Sequence, residues 1–160
     1  MVSATISREA DSHSQLSPLL KQAVSAHQAG QLEAARPLYR EFLTQEPKNP
    51  TALQLFGLLH SQSGEYETAI RLMRESLSLF PDQAEVANNL GNALSGAGRL
   101  KEAVDSYGQA VRLNPRYVDA LRNLGLSYLQ LDIVDDAQVC FERCVRTLRR
   151  PITTWASASG

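Results

Sequence analysis

A surplus of charge of either sign is missing from this chain: 16 Lys and Arg face 17 Asp and Glu, for a formal net charge of −1. A body that seeks RNA or DNA carries a basic excess, so no nucleic acid is expected among its partners. Long hydrophobic runs are missing too. None approaches the roughly 20 apolar residues that cross a bilayer as a helix, so no membrane insertion is expected. Residues 1–15, MVSATISREADSHSQ, hold no apolar stretch of the kind a secretory signal needs. They read as a flexible N-terminal segment, and the expected location is cytoplasmic. Cysteine is scarce, with Cys140 and Cys144 the only two. Four apart on an expected helix, they share a face but do not suit a disulfide. Without His or further Cys beside them they make a poor zinc site, and they read as packing or surface thiols of a reducing compartment.

Catalytic patterns are equally sparse. His13, His27 and His60 form no i, i+4 pair and no HExxH. There is no phosphate-cradling GxxxxGK[ST] loop, no strand-led GxGxxG and no GxSxG elbow. Carboxylates such as Glu65, Glu67, Asp135 and Asp136 fall near expected helix starts, where solvated acids suit the dipole. No catalytic residue, metal ligand or cofactor site is assigned, and the chain is not expected to be an enzyme.

What the chain has is a period. Ala35, Ala69, Ala103 and Ala137 are spaced 34 residues apart, and so are Gly57, Gly91 and Gly125, with Ala23 one step earlier. Pro47, Pro81 and Pro115 close the first three units, and the next step lands on Arg149. Such a period marks stacked supersecondary units, none able to bury its apolar face alone. The units are 16–49, 50–83, 84–117 and 118–151, followed by a short tail, 152–160. In the third, Ala87, Leu90, Gly91 and Leu94 recur at helical spacing, Gly96-Ala97-Gly98 breaks the pattern, and Leu100, Ala103, Val104, Tyr107, Ala110 and Val111 resume it. Asn114-Pro115 ends it, because the residue before proline is driven out of the helical region. Gly30, Gly64 and Asp132 break the other units, so each is expected to be helix–turn–helix. Glycine in the first helix permits close approach to the second, alanine supplies a notch, and Tyr39, Met73, Tyr107 and Phe141 fill the space beyond it. Pro37 is expected to kink the second helix, and Gly108 to soften the sixth by about 1 kcal/mol relative to alanine.

Leu or Phe before the glycine, Leu, His or Tyr three after it, then the turn glycine, Ala-x3-Tyr/Met/Phe and the closing proline together resemble the tetratricopeptide repeat over residues 16–151. That resemblance implies an all-α fold, a right-handed α-solenoid of stacked helix–turn–helix repeats. The first helix of each repeat would line the concave side. Its lining would comprise Leu20, Lys21 and Val24, then Gln54, Leu55 and Leu58, then Asn88, Asn89 and Asn92, and finally Arg122, Asn123 and Leu126. Asn89 and Asn123 hold one register. Asparagine is a mediocre helix former whose amide can grip a peptide main chain, and a similar asparagine ladder holds extended peptides in O-linked N-acetylglucosamine transferase arrays. The alternative is that these amides bond neighbouring helices. A Lys/Asn carboxylate clamp is absent, since Leu20 and Val24 occupy those places.

The implied function is a scaffold that binds a protein or peptide segment in its groove. Two alternatives are the N-terminal recognition arm of a larger glycosyltransferase or sulfotransferase, which residues 87–115 resemble in style, and a short secretion-system chaperone. Arg143, Arg146, Arg149 and Arg150 end the last helix as a patch for anions or as a solvated helix end. A solenoid needs a polar outer face on its last repeat. Here the apolar side of the fourth unit is expected to be covered by Trp155, by a second copy through self-association, or by further chain.

Overall fold

Each unit of 34 residues alternates an apolar stripe at helical spacing with a short break, and each stripe becomes a helix. The computed structural model describes residues 17–149. The expectations for residues 1–15, for Trp155 and for the rest of the tail lie outside the described residues. Eight helices follow in order among them: α1 (Pro18–Gln28), α2 (Leu32–Gln45), α3 (Pro50–Gln62), α4 (Tyr66–Leu79), α5 (Ala84–Gly96), α6 (Leu100–Leu113), α7 (Val118–Gln130) and α8 (Val134–Arg149). They stack as an all-α solenoid, each helix packed against the one before it.

The breaks have a common geometry. Gly30, Gly64 and Gly98 sit at φ of 75°, 77° and 76°, the left-handed conformation that lets a helix end and the chain turn back. Asp132 takes the equivalent place at φ 62°, a role that aspartate fills better than most side chains. At the start of α3, Asn49 caps the helix by accepting from the Ala52 amide at 3.0 Å, with Pro50 pre-set at the first helical position. The helix α2 continues through Pro37, which lies exposed on its surface. Gly108 sits in α6, where an added Cβ would meet only the Arg112 guanidinium at 3.5 Å.

Small faces large within every unit. A Cβ on Gly57 would stand 3.0 Å from Met73, one on Gly91 2.5 Å from Tyr107, and one on Gly125 2.9 Å from Phe141. Ala35, Ala69, Ala103 and Ala137 are fully buried. Two apolar layers result. Leu20, Tyr39, Phe42, Phe56 and Leu59 fill the first units, and Met73, Leu90, Tyr107 and Leu121 the later ones. Cys140 and Cys144 are free and buried, so they pack. Burial pushes both thiols up, which keeps them protonated and unreactive.

Neighbouring units are also joined by ion pairs. Arg99 reaches Glu67 at 3.1 Å, and Arg74 reaches Glu102 at 2.7 Å. Glu65, exposed at the start of α4 as its position suggests, also ties two units together. It receives the Arg36 guanidinium at 2.7 Å and lies 2.7 Å from Nδ1 of His60, which is buried. At that distance the His60 nitrogen carries the proton and donates to the carboxylate, so it cannot also accept from Arg36. The Arg36 bonds first, and then His60, hold the Glu65 carboxyl down at about 2. A depressed carboxyl contributes stability that is complete above its ordinary value and lost as the pH falls through its folded one. Wild type is therefore expected to melt above Glu65→Gln at neutral pH, the two converging as the pH falls from 4.5 to about 2. Melting curves of both across that range provide the check. A gap that stays constant throughout would show that the ionised carboxylate is not what stabilises the junction.

Candidate functional site

The first helices of successive units touch one another, α1 with α3, α3 with α5 and α5 with α7, whereas no two second helices do. In a curved stack the elements that crowd together lie on the inside. The inner face is therefore formed by α1, α3, α5 and α7, the face the repeat pattern implied.

Three rows of side chains run across it at the 34-residue step. Gln54, Asn88 and Arg122 form one row, Leu55, Asn89 and Asn123 the second, and Leu58, Asn92 and Leu126 the third. Their environments differ sharply. Gln54, Leu55 and Leu58 are half-buried, with Leu55 against the first core layer and Leu58 against the second. Asn92 and Arg122 are exposed, and Asn89 and Asn123 are half-buried. Leu126 is 47% exposed.

Two expected lining residues are placed otherwise. Leu20 is 1% exposed and belongs to the core, since it faces α2 rather than the groove. Asn88 is 4% exposed, too buried to be presented to a ligand. Its Oδ1 accepts from Asn123 Nδ2 at 3.2 Å, and it lies beside the Tyr117 hydroxyl. The same Asn123 nitrogen donates to Asn92 Oδ1 at 3.1 Å, and the Tyr107 hydroxyl donates to that oxygen at 2.8 Å. Between α5 and α7 the amides thus form a closed network, in which buried polar groups satisfy one another. Burial pushes the Tyr107 phenol up to about 12, so it stays a donor. Arg122 pairs with Asp119 at 3.1 Å on its own helix.

The junction between α3 and α5 is different. Asn89 corresponds to Asn123, but the residues facing it in the previous unit are Gln54 and Leu58 where Asn123 meets Asn88 and Asn92. Leucine offers no acceptor, and no side-chain hydrogen bond is made by Asn89 or Gln54 among the described residues. Among the described residues, one rung is therefore engaged internally and the other retains its donors and acceptor. Asn123 also carries structure through its carbonyl, which accepts from buried Ser127 at 2.9 Å.

A second feature lies at the far end of the stack, on the uncapped apolar side of the fourth unit that the sequence marks as needing a cover. An open groove of about 930 Å³ runs along α8, lined by apolar Leu129, Val134, Phe141 and Val145 and by arginines Arg146 and Arg149. The signal was present in the register: the step that holds Ser61 and Ser95 in earlier units holds Leu129 here. Among the described residues no group of three or more His, Cys, Asp or Glu could hold a metal ion. No described helix is long and apolar enough to cross a membrane.

Comparisons with known proteins agree with this architecture. A tetratricopeptide repeat family model matches residues 26–92 and 60–106, and a TPR repeat model matches 96–132. Among solved structures, MamA MSR-1 is 25% identical with a TM-score of 0.75, over 82% of this chain and 76% of that one. MamA AMB-1 is 26% identical with a TM-score of 0.72, over 80% and 70%. MamA from Desulfovibrio magneticus RS-1 has a TM-score of 0.81 over 85% and 77% at 20% identity, a likeness of fold alone. No curated protein matches. With its 34-residue packing register, its paired helices and these matches, the chain belongs to the tetratricopeptide repeat family.

Proposed function

We propose that this chain is a non-catalytic cytoplasmic scaffold that holds an extended protein segment along its inner face, between α3 and α7. The observation that supports this reading most is the asymmetry of the two rungs: Asn123 is spent on Asn88 and Asn92, while Asn89 keeps a complete amide on the same face among the described residues. An amide with one acceptor and two donors matches the alternating N–H and C=O of a peptide main chain whatever its side chains. Asn92, Arg122 and Gln54 flank it as polar contacts. Leu55 and Leu58 supply an apolar end for the bound segment, and Asn88 acts by positioning Asn123. A family of repeats whose members bind proteins gives the general function, and these residues give the proposed mode.

The test separates binding from packing. Asn89→Ala is expected to weaken capture of a peptide selected from a random display library by about tenfold, with the melting temperature unchanged. Asn123→Ala behaves differently: it strands the Asn88 oxygen in a buried place and costs about 1–3 kcal/mol of stability. Isothermal titration with the selected peptide and thermal melts of both variants read the two effects. Unchanged affinity in Asn89→Ala overturns the proposed mode of grip.

A further inference from the structure

The open face of α8 is built unlike any other surface of the stack. In the third unit Val111 is 6% exposed because α7 lies over it, whereas its counterpart Val145 is 46% exposed. Val134 is 56% exposed and Leu129 46%. Charge changes along the same helix. Asp135, Asp136 and Glu142 occupy its first nine residues, with Glu142 lining the groove and accepting from Gln138 at 2.9 Å. Arg143, Arg146 and Arg149 occupy its end. The repeat register shows that these arginines belong to the last unit. The step of Arg143 holds Glu41, Glu75 and Gln109 before it, and the step of Arg149 holds Pro47, Pro81 and Pro115.

None of the three has a carboxylate within 4.0 Å among the described residues, although Arg36, Arg74, Arg99 and Arg122 all do. Arg146 and Arg149 border the apolar groove. On the other side of α8, Arg146 joins Arg116 and Arg143 around a recess of about 170 Å³, where Arg143 donates to the Pro115 carbonyl at 3.4 Å. Arginines without a carboxylate partner among the described residues, at the rim of an open apolar groove, are complementary to a surface with apolar anchors and acidic flanks.

We infer that this face docks an amphipathic helix of a partner protein whose first turns carry acidic residues, laid antiparallel to α8. The direction follows from charge. Acids stabilise a helix N-terminus and cations its C-terminus, so a helix that brings its acidic start to Arg146 and Arg149 must run back toward Glu142 and Val134. Its leucines or phenylalanines then fall on Val145, Phe141 and Leu129, the mode by which an amphipathic helix sits in a groove. This surface is separate from the inner face, so the chain would join two partners.

The test uses the full chain and a fluorescein-labelled 18-residue designed helix, with leucines on one face and glutamates in its first two turns. A second peptide has glutamine in place of those glutamates. Anisotropy titration is expected to show saturable binding of both, with the glutamate peptide about tenfold tighter at low salt and the advantage shrinking as salt rises. Arg146→Gln with Arg149→Gln is expected to abolish the difference while leaving the glutamine peptide bound. Val145→Glu, at an exposed position that leaves the fold intact by circular dichroism, is expected to abolish both. Asn89→Ala is expected to change neither, which keeps this result independent of the inner-face mode. The inference is overturned if neither peptide binds, if both bind equally, or if the arginine variant retains the preference. It is also overturned if sedimentation shows a dimer that Val145→Glu dissolves, since a second copy then fills the groove. A Trp155→Ala chain that binds about tenfold tighter than wild type overturns it too, because the chain's own tail is then the occupant.

Discussion

Gly91→Ala is expected to destabilise the protein by about 1–3 kcal/mol, against the usual direction of such a change. In a solvated helix the substitution would gain about 1 kcal/mol, because alanine loses less backbone entropy than glycine. Here the new methyl would stand 2.5 Å from Cε1, 2.6 Å from Cδ1 and 2.9 Å from Cζ of Tyr107. The ring has nowhere to go. It is 3% exposed, and its hydroxyl is held by Asn92 Oδ1 at 2.8 Å. Relief therefore requires α5 and α6 to separate, which opens the core and pulls Asn92 away from Asn123. Gly108→Ala is the internal control: its methyl would meet only Arg112, so it is expected to stabilise by about 1 kcal/mol. Urea denaturation of the two variants beside wild type checks both signs. If Gly91→Ala proves as stable as wild type, close helix approach is not what fixes glycine at this register.

That contrast shows what the sequence could convey. Gly57, Gly91 and Gly125 report a contact within one unit, repeated at a constant step, so their packing role is written in the period itself. Gly108 breaks no such rule, and only its surroundings show that an added methyl finds open space. The inner face was legible as a set of rows but not as a set of bonds. Asn88 and Asn92 lie one place before and three places after the register partner of Asn123, a spacing that puts both on the side facing it. Nothing in the composition says that the amides close on one another there and leave Asn89 alone. Glu65 was less legible still. Its partner Arg36 lies 29 residues away, off the 34-residue step, so no repeat alignment pairs them. The open groove on α8 was half legible: the lack of a cap follows from where the period stops, while Leu129 replacing a serine shows only when the units are superposed.

Tyr39→Ala is expected to cost about 3–5 kcal/mol and to release the first unit from the stack while the rest stays folded. Tyr39 is fully buried, stacks on Phe56 with ring centroids 5.7 Å apart and meets His27 edge-on at 5.8 Å. One ring thus joins α1, α2 and α3. The hydroxyl extends the joint: it bonds His27 Nδ1 at 3.1 Å, and His27 Nε2 lies 2.9 Å from Gln62 Oε1 at the end of α3. Removing the ring leaves a cavity and leaves His27 Nδ1 without its partner. In a stack each unit contacts only its neighbours, so the loss falls on the first interface rather than on the whole molecule. The later layer, from Ala69 to Cys144, does not contain Tyr39. Native-state hydrogen exchange is therefore expected to show α1 and α2 amides losing protection in Tyr39→Ala, with α5 to α8 close to wild type. Tyr39→Phe keeps the ring and is expected to lose only about 1 kcal/mol. Uniform loss of protection from α1 to α8 would show that the units fold as one cooperative body. Retained protection in α5 to α8 predicts in turn that the variant still grips through Asn89, because that rung lies beyond the interface that fails.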